Sequence, residues 1–550
     1  MKTIKKLFVL ALALLVCTSL TACGSSDDTS SDSDGSTSTW ATTVNYAIGG
    51  EPDALDLATG SDSVTAFILN QLYMPLFNFA EDGSLINEFC TSYEVSDDGL
   101  VYTLHFLEGA LWSDGVEITA YDVEYAIKRS LGMGVADAYY SYFIADYVLN
   151  AAEHSVNMSD VADMDDLGVA VIDNYTLEIT LEAPCDYFVG LLTAGVFTPI
   201  RSDVAPEHDY LWANTVGYPT SGGFTLESFD STTSYQMVKN ENFYYADDVV
   251  IENLVAYVIT DQSAQLVAFQ TGEIDIATSL SSDVTKIYAD QPELTITPSV
   301  INYYMRINSQ TSDVEALSDV NVRRALQLGI DRSNIILALD AGDVYYELYG
   351  DVPKGMEGVD GDFREEQDAT DPLVYTDKDE ARALMEAAGY SADNPLQIVY
   401  YYNQTTMHDT VAQVIQAEFA EIYVELTLQT GEIRTFFDDL DYGFYELGRS
   451  AMSADYMDPT TFLDQAVPAN QATWTWGDET YADMLSYANS LTGDERMEAL
   501  HDAEEYLVRD MAYMIPLFGY NQVFLVKAGT EDFESSPQGN ATFWYVKVPN

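Results

Sequence analysis

Segments with strand periodicity and segments with helix periodicity alternate along most of this 550-residue chain. Residues 101–106 and 177–181 place apolar side chains at every second position, which is the period of a half-buried strand. Between residues 408 and 428 the apolar spacing changes from helical to alternating, which predicts a helix followed by a strand. No period of 20 to 50 residues repeats, which excludes solenoids and propellers. Strands interleaved with helices indicate layered α/β domains.

Two helix beginnings are predicted from capping boxes, in which a threonine is followed three residues later by an acid. Thr119 and Asp122 precede apolar residues with helical spacing, and Thr376 and Asp379 precede a second such run. Gly389 follows the second run, and glycine is common just beyond the end of a helix. Both stretches are therefore predicted to be amphipathic helices.

The N-terminal residues have the order of a bacterial secretory signal. Three lysines precede an apolar run over residues 7–16, which is shorter than the ~20 residues that a membrane-spanning helix needs. Leu-Thr-Ala-Cys at residues 20–23 resembles a lipobox, the motif whose cysteine is diacylated and becomes the mature N-terminus. We predict a signal peptide over residues 1–22 and lipidation of Cys23. An ordinary signal peptide and a short membrane span are the alternatives.

Residues 25–39 contain only serine, aspartate, threonine and glycine. Such a segment lacks the apolar side chains that offset the entropy of ordering, so residues 23–39 are predicted to be a lipidated, flexible tether. No later segment is apolar for long enough to cross a bilayer. The protein is thus expected on the outer face of the bacterial cytoplasmic membrane, held there by its lipid anchor.

From Trp40 onward more than 500 residues remain, too many for one hydrophobic core, so two or three globular units are expected. The formal net charge is −68, and loss of the three lysines of the signal would make it −71. A surface with this charge repels nucleic acids and anionic lipids. No nucleic-acid partner is therefore predicted.

Reactive side chains form no recognisable catalytic or metal-binding pattern. The chain has no Gly-x-Ser-x-Gly, His-Glu-x-x-His or phosphate-binding glycine-rich motif, and its five histidines are isolated from one another. Cys90 and Cys185 either form a disulfide or remain as separate buried thiols. The sequence therefore predicts a protein that is not an enzyme and that uses no metal or cofactor.

Ten short segments in a fixed order are spread over most of the chain. The most recognisable block is Leu-Trp-Ser-Asp-Gly at residues 111–115, followed by Thr-Ala-Tyr-Asp-Val at residues 119–123. With these segments the chain resembles the solute-binding proteins of peptide-type ABC importers, the oligopeptide- and dipeptide-binding lipoproteins. One departure is Leu57, where the family usually has proline. The other segments are residues 51–56, 72–76, 93–99, 221–224, 271–275, 322–326, 330–332 and 454–459.

The resemblance implies a two-lobed α/β fold of the periplasmic-binding-protein type (type II), with an extra subdomain in lobe 1 and two hinge crossings. Pro298 and Pro516 interrupt extended stretches and are predicted to mark these crossings. Lobe 1 would then be built from the two ends of the chain. The predicted divisions are lobe 1 over residues 40–298 with an inserted subdomain over about 66–190, lobe 2 over 299–516, and a C-terminal return to lobe 1 over 517–550.

In oligopeptide-binding relatives the acid that corresponds to Asp455 receives the α-ammonium group of the peptide, and the arginine that corresponds to Arg449 lies along the same pocket. These roles suit a zwitterionic peptide, which needs a negative partner at one end and a positive partner further along in a dry cleft. Ser453, Tyr139 and Glu51 are further candidate ligand-binding residues. A turn carboxylate is the alternative for Asp455, and a structural ion pair is the alternative for Arg449.

The predicted function is capture of an oligopeptide in a closing cleft and delivery to an ABC permease, by a monomer without a cofactor. Within the family, an oligosaccharide or another small solute is the alternative ligand. The 39 tyrosines, among them Tyr140 and Tyr142 beside Tyr139, supply flat aromatic surfaces that are suited either to lining side-chain pockets or to stacking on sugar rings. Nickel is disfavoured because the histidines do not cluster. Outside the family, a surface hydrolase and a signalling receptor are the alternatives.

Overall fold

The computed structural model describes residues 39–550, except for residues 61, 135, 210, 279, 281 and 282. The predicted signal peptide, Cys23 and the predicted tether up to residue 38 lie outside the described residues. These features therefore stay predictions.

Strands and helices alternate from one end of the described chain to the other. The strands are β1 (Thr43–Ile48), β2 (Phe77–Phe79), β3 (Leu85–Asn87), β4 (Cys90–Val95), β5 (Val101–Phe106), β6 (Val169–Asp173), β7 (Thr176–Thr180), β8 (Phe224–Asp230), β9 (Ser234–Lys239), β10 (Asn253–Val258), β11 (Ile276–Ala277), β12 (Leu294–Thr297), β13 (Ile301–Ile307), β14 (Tyr345–Glu347), β15 (Leu396–Asn403), β16 (Val424–Gly431), β17 (Leu447–Ser453), β18 (Met514–Tyr520) and β19 (Gln522–Val526). The helices are α1 (Ser63–Leu72), α2 (Ala120–Met133), α3 (Tyr142–Ala145), α4 (Ala151–Asn157), α5 (Phe188–Leu191), α6 (Gln262–Thr271), α7 (Asp283–Tyr288), α8 (Val320–Leu328), α9 (Arg332–Leu339), α10 (Phe363–Thr370), α11 (Lys378–Ala387), α12 (Thr406–Ala420), α13 (Ile433–Asp441), α14 (Thr460–Leu463), α15 (Glu479–Ala488) and α16 (Gly493–Glu505). None of these described helices is both long enough and apolar enough to cross a membrane.

Two large mixed sheets form the framework of the fold. The first has seven strands in the order β12-β19-β11-β1-β10-β9-β8, and its central strand β1 is parallel to both β10 and β11. The second has six strands in the order β14-β18-β13-β17-β15-β16, and β15 is parallel to both β16 and β17. The helix α12 followed by the strand β16 matches the predicted helix and strand between residues 408 and 428. The predicted α/β class is confirmed.

A smaller group of elements lies in sequence between β1 and β8, within the predicted inserted subdomain. β4, β5, β7 and β6 form a four-stranded antiparallel sheet, and β2 pairs with β3 in a separate hairpin. α2 begins with the predicted capping contact, because the Asp122 carboxylate accepts a hydrogen bond of 2.8 Å from the Thr119 backbone N–H. The apolar face of α2 is buried, as its spacing predicted.

The chain passes between the two large sheets at two places. It leaves the first sheet after Thr297 and enters the second at Ile301, next to the predicted crossing at Pro298. It returns between β18 and β19, after Tyr520, and not at Pro516. Pro516 lies inside β18, where the register with β13 shifts. Proline has no N–H to donate to a neighbouring strand, so within a sheet it is confined to edges and to bulges such as this one. The numbered lobe boundaries themselves stay predictions.

The second predicted capping box is wrong by one residue. α11 begins at Lys378, and its N-cap is Asp377, whose carboxylate accepts hydrogen bonds from the backbone N–H groups of the next turn at 3.0 and 2.9 Å. Thr376 Oγ1 instead donates to the Ile330 carbonyl oxygen at 2.9 Å. Aspartate and threonine are both good N-caps, so the pattern did not distinguish these neighbours. The helix does stop before Gly389, as predicted.

Side chains on the two faces of the second sheet enter different cores. Along β13 they alternate: Tyr303, Met305 and Ile307 pack with α8 and α12, whereas Tyr304 packs with α15 and α16. A further large cluster joins the first sheet to the inserted subdomain. This cluster also includes Tyr456, which follows β17 of the second sheet. The chain just after β17 is therefore packed against the inserted subdomain.

A buried ion pair anchors the segment 51–56. Two nitrogens of the Arg129 guanidinium lie 2.9 and 2.5 Å from the Asp56 carboxylate, and Trp212 Nε1 donates to the same carboxylate at 2.7 Å. Asp56 and Arg129 are each 1% exposed. The acid of this matched segment therefore holds the loop after β1 to α2.

The two cysteines within the described residues are separate thiols. Cys90 and Cys185 are both buried and unpaired. Burial raises the pKa of each thiol to about 12, so both are protonated at neutral pH. Of the two alternatives that the sequence left open, the structure has the isolated buried thiols.

Glu88, between β3 and β4, is expected to make stability depend on pH. It is 9% exposed, and burial raises its pKa to about 7. An unfolded glutamate titrates near 4.3, so the stability present below that pH is lost as the pH rises through about 7. We expect Glu88→Gln to match the wild type near pH 4.5 and to exceed it by up to about 3 kcal/mol near pH 8.

Denaturant unfolding of both proteins at the two pH values checks this prediction. Glu94→Gln is the matched control, because Glu94 is exposed on the neighbouring strand β4. An equal stability difference between Glu88→Gln and the wild type at both pH values would contradict it.

Candidate functional site

The turn after β17 carries Asp455 and is held by its backbone. The Asp455 backbone N–H donates to Thr461 Oγ1 at 3.1 Å. Gln538 Nε2 donates to the carbonyl oxygens of Asp455 and Ala454 at 3.0 and 3.3 Å. The backbone at Asp455 is therefore held by Thr461 of the same turn and by Gln538 near the C-terminus.

Tyrosines of the inserted subdomain converge on the Asp455 carboxylate. Tyr142 donates from its hydroxyl to Oδ2 at 3.1 Å, and Tyr140 donates to Oδ1 at 3.5 Å. The ring of Tyr139 packs edge-on against both, with centroid distances of 5.0 and 5.6 Å. Tyr139 was predicted to lie at the site, and the structure places it there together with its two neighbours.

The Asp455 carboxylate has neutral partners. Burial raises its pKa, and the hydrogen bonds from the tyrosine hydroxyls act in the opposite direction. Among the residues that the structure describes, no lysine, arginine or histidine nitrogen lies within 4 Å of it. A half-buried carboxylate of this kind is suited to accept a cationic group from a ligand.

Arg449 on β17 is a buried cation. It is 9% exposed, its Cζ lies 5.2 Å from the centre of the Tyr303 ring, and its Nε is buried without a hydrogen-bond partner. No carboxylate in the described part of the chain lies within 4 Å of it. The alternative of a structural ion pair is therefore not what the structure shows.

Neutral and aromatic groups surround Arg449. His408 at the beginning of α12 shares a hydrogen bond of 3.1 Å with the Tyr303 hydroxyl. Burial, followed by the positive charge of Arg449, lowers the pKa of His408 to about 3, so this imidazole is neutral at physiological pH. Burial raises the pKa values of Tyr400 and Tyr520, and the positive charge of Arg449 acts in the opposite direction. The sequence analysis did not predict His408 as a site residue, because it is isolated from the other histidines and belongs to no motif.

One edge of β17 is free along most of its length. β13 pairs with β17 from Leu447 to Ser453, whereas β15 pairs only with Leu447 and Gly448. Within the described residues, no strand is therefore paired with residues 449–453 on the second side. An unpaired edge presents backbone N–H and C=O groups to any extended chain beside it.

Asp455 and Arg449 lie at opposite ends of this free edge. They are six positions apart in the chain, which corresponds to at most roughly 20 Å in extended backbone. Ser453, predicted as a site residue, is exposed at the end of β17 nearest Asp455. The site therefore combines a carboxylate, a strand edge and a buried cation in one line.

Glu51 makes no contact within the described chain that would join it to the site formed by Asp455, the edge of β17 and Arg449. It is exposed, and no hydrogen bond or ion pair between Glu51 and Asp455 or the tyrosines occurs in the described residues. The charge of the nearby Asp53 adds to the raised pKa of Tyr140, after the larger effects of burial, Asp455 and Tyr139. The predicted role of Glu51 has no geometric support.

Comparison with known proteins places the chain among binding proteins. The model of the bacterial extracellular solute-binding proteins, family 5 (middle region), matches residues 84–474. The dipeptide-binding protein DppE of Bacillus subtilis (strain 168) is 26% identical over 550 residues, covering 98% of each chain. The probable deoxycholate-binding periplasmic protein YgiS of Escherichia coli (strain K12) is 26% identical, covering 87% of this chain and 88% of that one.

A solved structure with the same fold is that of the murein tripeptide-binding protein MppA of Escherichia coli. It has a TM-score of 0.75 and 23% identity, and the match covers 93% of this chain and 100% of that one. At this identity the likeness shows the fold, which is the two-lobed α/β architecture that the sequence predicted.

Proposed function

Because the chain belongs to the bacterial extracellular solute-binding proteins of family 5, a family of binding proteins and not of enzymes, we propose that it captures oligopeptides outside the cytoplasm and delivers them to an ABC permease. The observation that supports a peptide ligand is the line formed by Asp455, the free edge of β17 and Arg449. Each of these parts corresponds to one part of a zwitterionic peptide.

The α-ammonium group of the peptide binds Asp455 in this proposal. Among the described residues the carboxylate accepts from tyrosine hydroxyls and has no cationic partner, so an ammonium group supplies the missing positive charge. A hydrogen bond to a charged group contributes about 1.5–3 kcal/mol, which is enough to set the position of a ligand. The tyrosine hydroxyls also have lone pairs that accept from the same ammonium group.

The peptide backbone lies along β17. In the described part of the chain, residues 449–453 pair with a strand on one side only, so an extended peptide adds as a further strand and hydrogen-bonds to main-chain groups. Main-chain recognition does not depend on the side chains of the ligand. The protein would therefore accept many peptide sequences.

The peptide carboxylate binds Arg449. This guanidinium is buried among aromatic rings and a neutral imidazole, so an incoming carboxylate supplies the negative partner that a buried cation requires. The interval from Arg449 to Asp455 is at most roughly 20 Å, so an extended peptide of about three to five residues fits it.

Closure and anchoring complete the proposed mechanism. The two lobes close around the ligand by a hinge motion, and the closed form is presented to the permease. Lipidation of Cys23 would hold the monomer at the outer face of the cytoplasmic membrane, with residues 25–39 as its tether. Such an anchor raises the effective concentration of the protein beside the permease without a permanent complex.

Calorimetric titration with a ladder of alanine peptides, from dialanine to hexa-alanine, tests the peptide ligand. We expect saturable one-to-one binding that is strongest at three to five residues. Deoxycholate and a maltose oligosaccharide serve as competing candidates, because one relative is named as a probable deoxycholate-binding protein. Binding of either in place of all the peptides would contradict the proposal.

Removing the charge of Arg449 should weaken binding of the C-terminal carboxylate of the peptide. We expect Arg449→Met to weaken binding of tetra-alanine by about 10- to 100-fold, since a charged hydrogen bond is lost, and to change binding of tetra-alanine amide little. Titration calorimetry with both peptides measures this. Arg434→Met is the control, because Arg434 is exposed on α13. Equal losses for the two peptides would remove Arg449 from the carboxylate site.

A further inference from the structure

Tyr187 of the inserted subdomain contacts two residues of the second half of the chain. Its ring lies parallel to that of Tyr456, with the centroids 5.3 Å apart and an interplanar angle of 7°. The Cζ of Arg496, on α16, lies 4.8 Å from the centre of the Tyr187 ring. Tyr456 is the residue directly after Asp455. Tyr187 therefore contacts the turn that carries the proposed ammonium acceptor.

Each partner of Tyr187 is itself fixed. Arg496 forms two hydrogen bonds of 2.8 Å with the Asp458 carboxylate, and both side chains are nearly fully buried. Asp458 also accepts from the Thr460 backbone N–H and hydroxyl at 3.0 and 2.6 Å. Arg496 and the turn therefore form one unit, and Tyr187 packs against it from the inserted subdomain.

Further contacts join the same two parts of the chain. The Gly493 backbone N–H, at the beginning of α16, donates to Asp186 Oδ2 at 2.7 Å. Phe143 packs edge-on against Tyr456 at 5.7 Å. As a result Tyr456 is only 4% exposed, although it follows a strand of the other large sheet. If the inserted subdomain moved away, this ring would be exposed to water.

We infer that Tyr187 is a positioning residue that fastens the turn 454–464 to the inserted subdomain and thereby holds Asp455 beneath Tyr140 and Tyr142. The inference deepens the proposed function, on which the ligand role of Asp455 rests. Tyr187 does not touch the proposed ligand line; it acts through Tyr456. Stacking and cation–π contacts of this kind favour the docked arrangement, so they are expected to slow ligand release more than they change ligand capture.

Amide hydrogen exchange of the ligand-free protein tests the fastening without any ligand. We expect Tyr187→Leu to accelerate exchange of residues 454–464 by about tenfold, because the turn loses its stacked partner. Tyr187→Phe keeps the ring, so exchange of residues 454–464 is expected to remain slow in this variant. Tyr235→Leu is the matched control, since it removes a ring stacked on Phe229 at 5.4 Å in the first sheet.

The outcomes decide the inference separately from the peptide proposal. The inference would be overturned if residues 454–464 exchanged slowly in Tyr187→Leu. It would also be overturned if these residues exchanged equally fast in Tyr187→Leu and in Tyr235→Leu. In a second measurement, stopped-flow dissociation of tetra-alanine is expected to be about tenfold faster in Tyr187→Leu, with an unchanged association rate. Accelerated exchange in a protein that binds none of the alanine peptides would sustain the fastening role and contradict the peptide ligand.

Discussion

Asp455→Asn is expected to weaken the binding of tetra-alanine by about 10- to 100-fold and to leave the binding of N-acetyl-tetra-alanine almost unchanged. Asparagine has nearly the same shape as aspartate: its single amide oxygen accepts from one of the two tyrosine hydroxyls, and its NH2 group donates to the oxygen of the other. It carries no charge, so only the attraction to a ligand ammonium is lost. The acetylated peptide has no ammonium group, so its affinity should be almost the same for Asp455→Asn and the wild type.

Titration calorimetry with the two peptides measures this difference, and circular dichroism confirms that the variant is folded. Asp438→Asn is the control, because Asp438 is an exposed acid on α13. It separates the effect of one particular carboxylate from the general effect of a chain with a net charge of −68. A similar loss for the free and the acetylated peptide would show that Asp455 shapes the site without receiving the ammonium group.

Asp56→Ala is expected to destabilise the protein by about 3–5 kcal/mol, because it leaves the buried Arg129 guanidinium without its carboxylate. Trp212 Nε1 loses its acceptor at the same time. In a unit that spans Trp40–Asn550, at about 2.1 cal/mol/K of unfolding entropy per residue, the change should lower the unfolding temperature by about 3–5 °C. Scanning calorimetry measures it.

Two further variants establish the cause. Glu365→Ala breaks the exposed pair with Lys354, whose atoms lie 2.9 Å apart, and is expected to cost at most about 1 kcal/mol. Asp56→Ala combined with Arg129→Met should be less destabilising than the sum of the single changes, because no unpaired charge remains. Strict additivity would show that the two side chains stabilise the protein independently.

Local patterns predicted the individual elements well. Alternation over residues 101–106 and the capping box at Thr119 correspond to β5 and α2, because strands and helix beginnings depend on neighbouring residues. The same local evidence failed where two neighbours were equally suitable, as with Thr376 and the true cap Asp377. It also failed at Pro516, where β18 tolerates the proline at a bulge.

The site was predicted in part. Asp455 was named from a matched segment, and Arg449 and Tyr139 were named from their correspondence to positions in the relatives. The structure places tyrosines around Asp455, and next to Arg449 begins the part of β17 that β15 does not pair with. The neutral imidazole of His408 near Arg449 has no counterpart in the sequence pattern. Glu51 belonged to an equally well-matched segment, yet its side chain does not reach the carboxylate.

By itself the sequence determined the α/β class, the order of the elements, the family and the residues with charges suited to a zwitterion. These depend on short periodic patterns and on segments that can be read without knowing where they meet. Only the tertiary structure decided the partners. Tyr142 reaches Asp455 across 313 residues, and Tyr187 meets Tyr456 and Arg496 through contacts between separate parts of the chain. Such contacts depend on how whole sheets and subdomains pack. The packing therefore determines whether a carboxylate is paired with a cation of the protein or, like Asp455, has only neutral partners among the described residues.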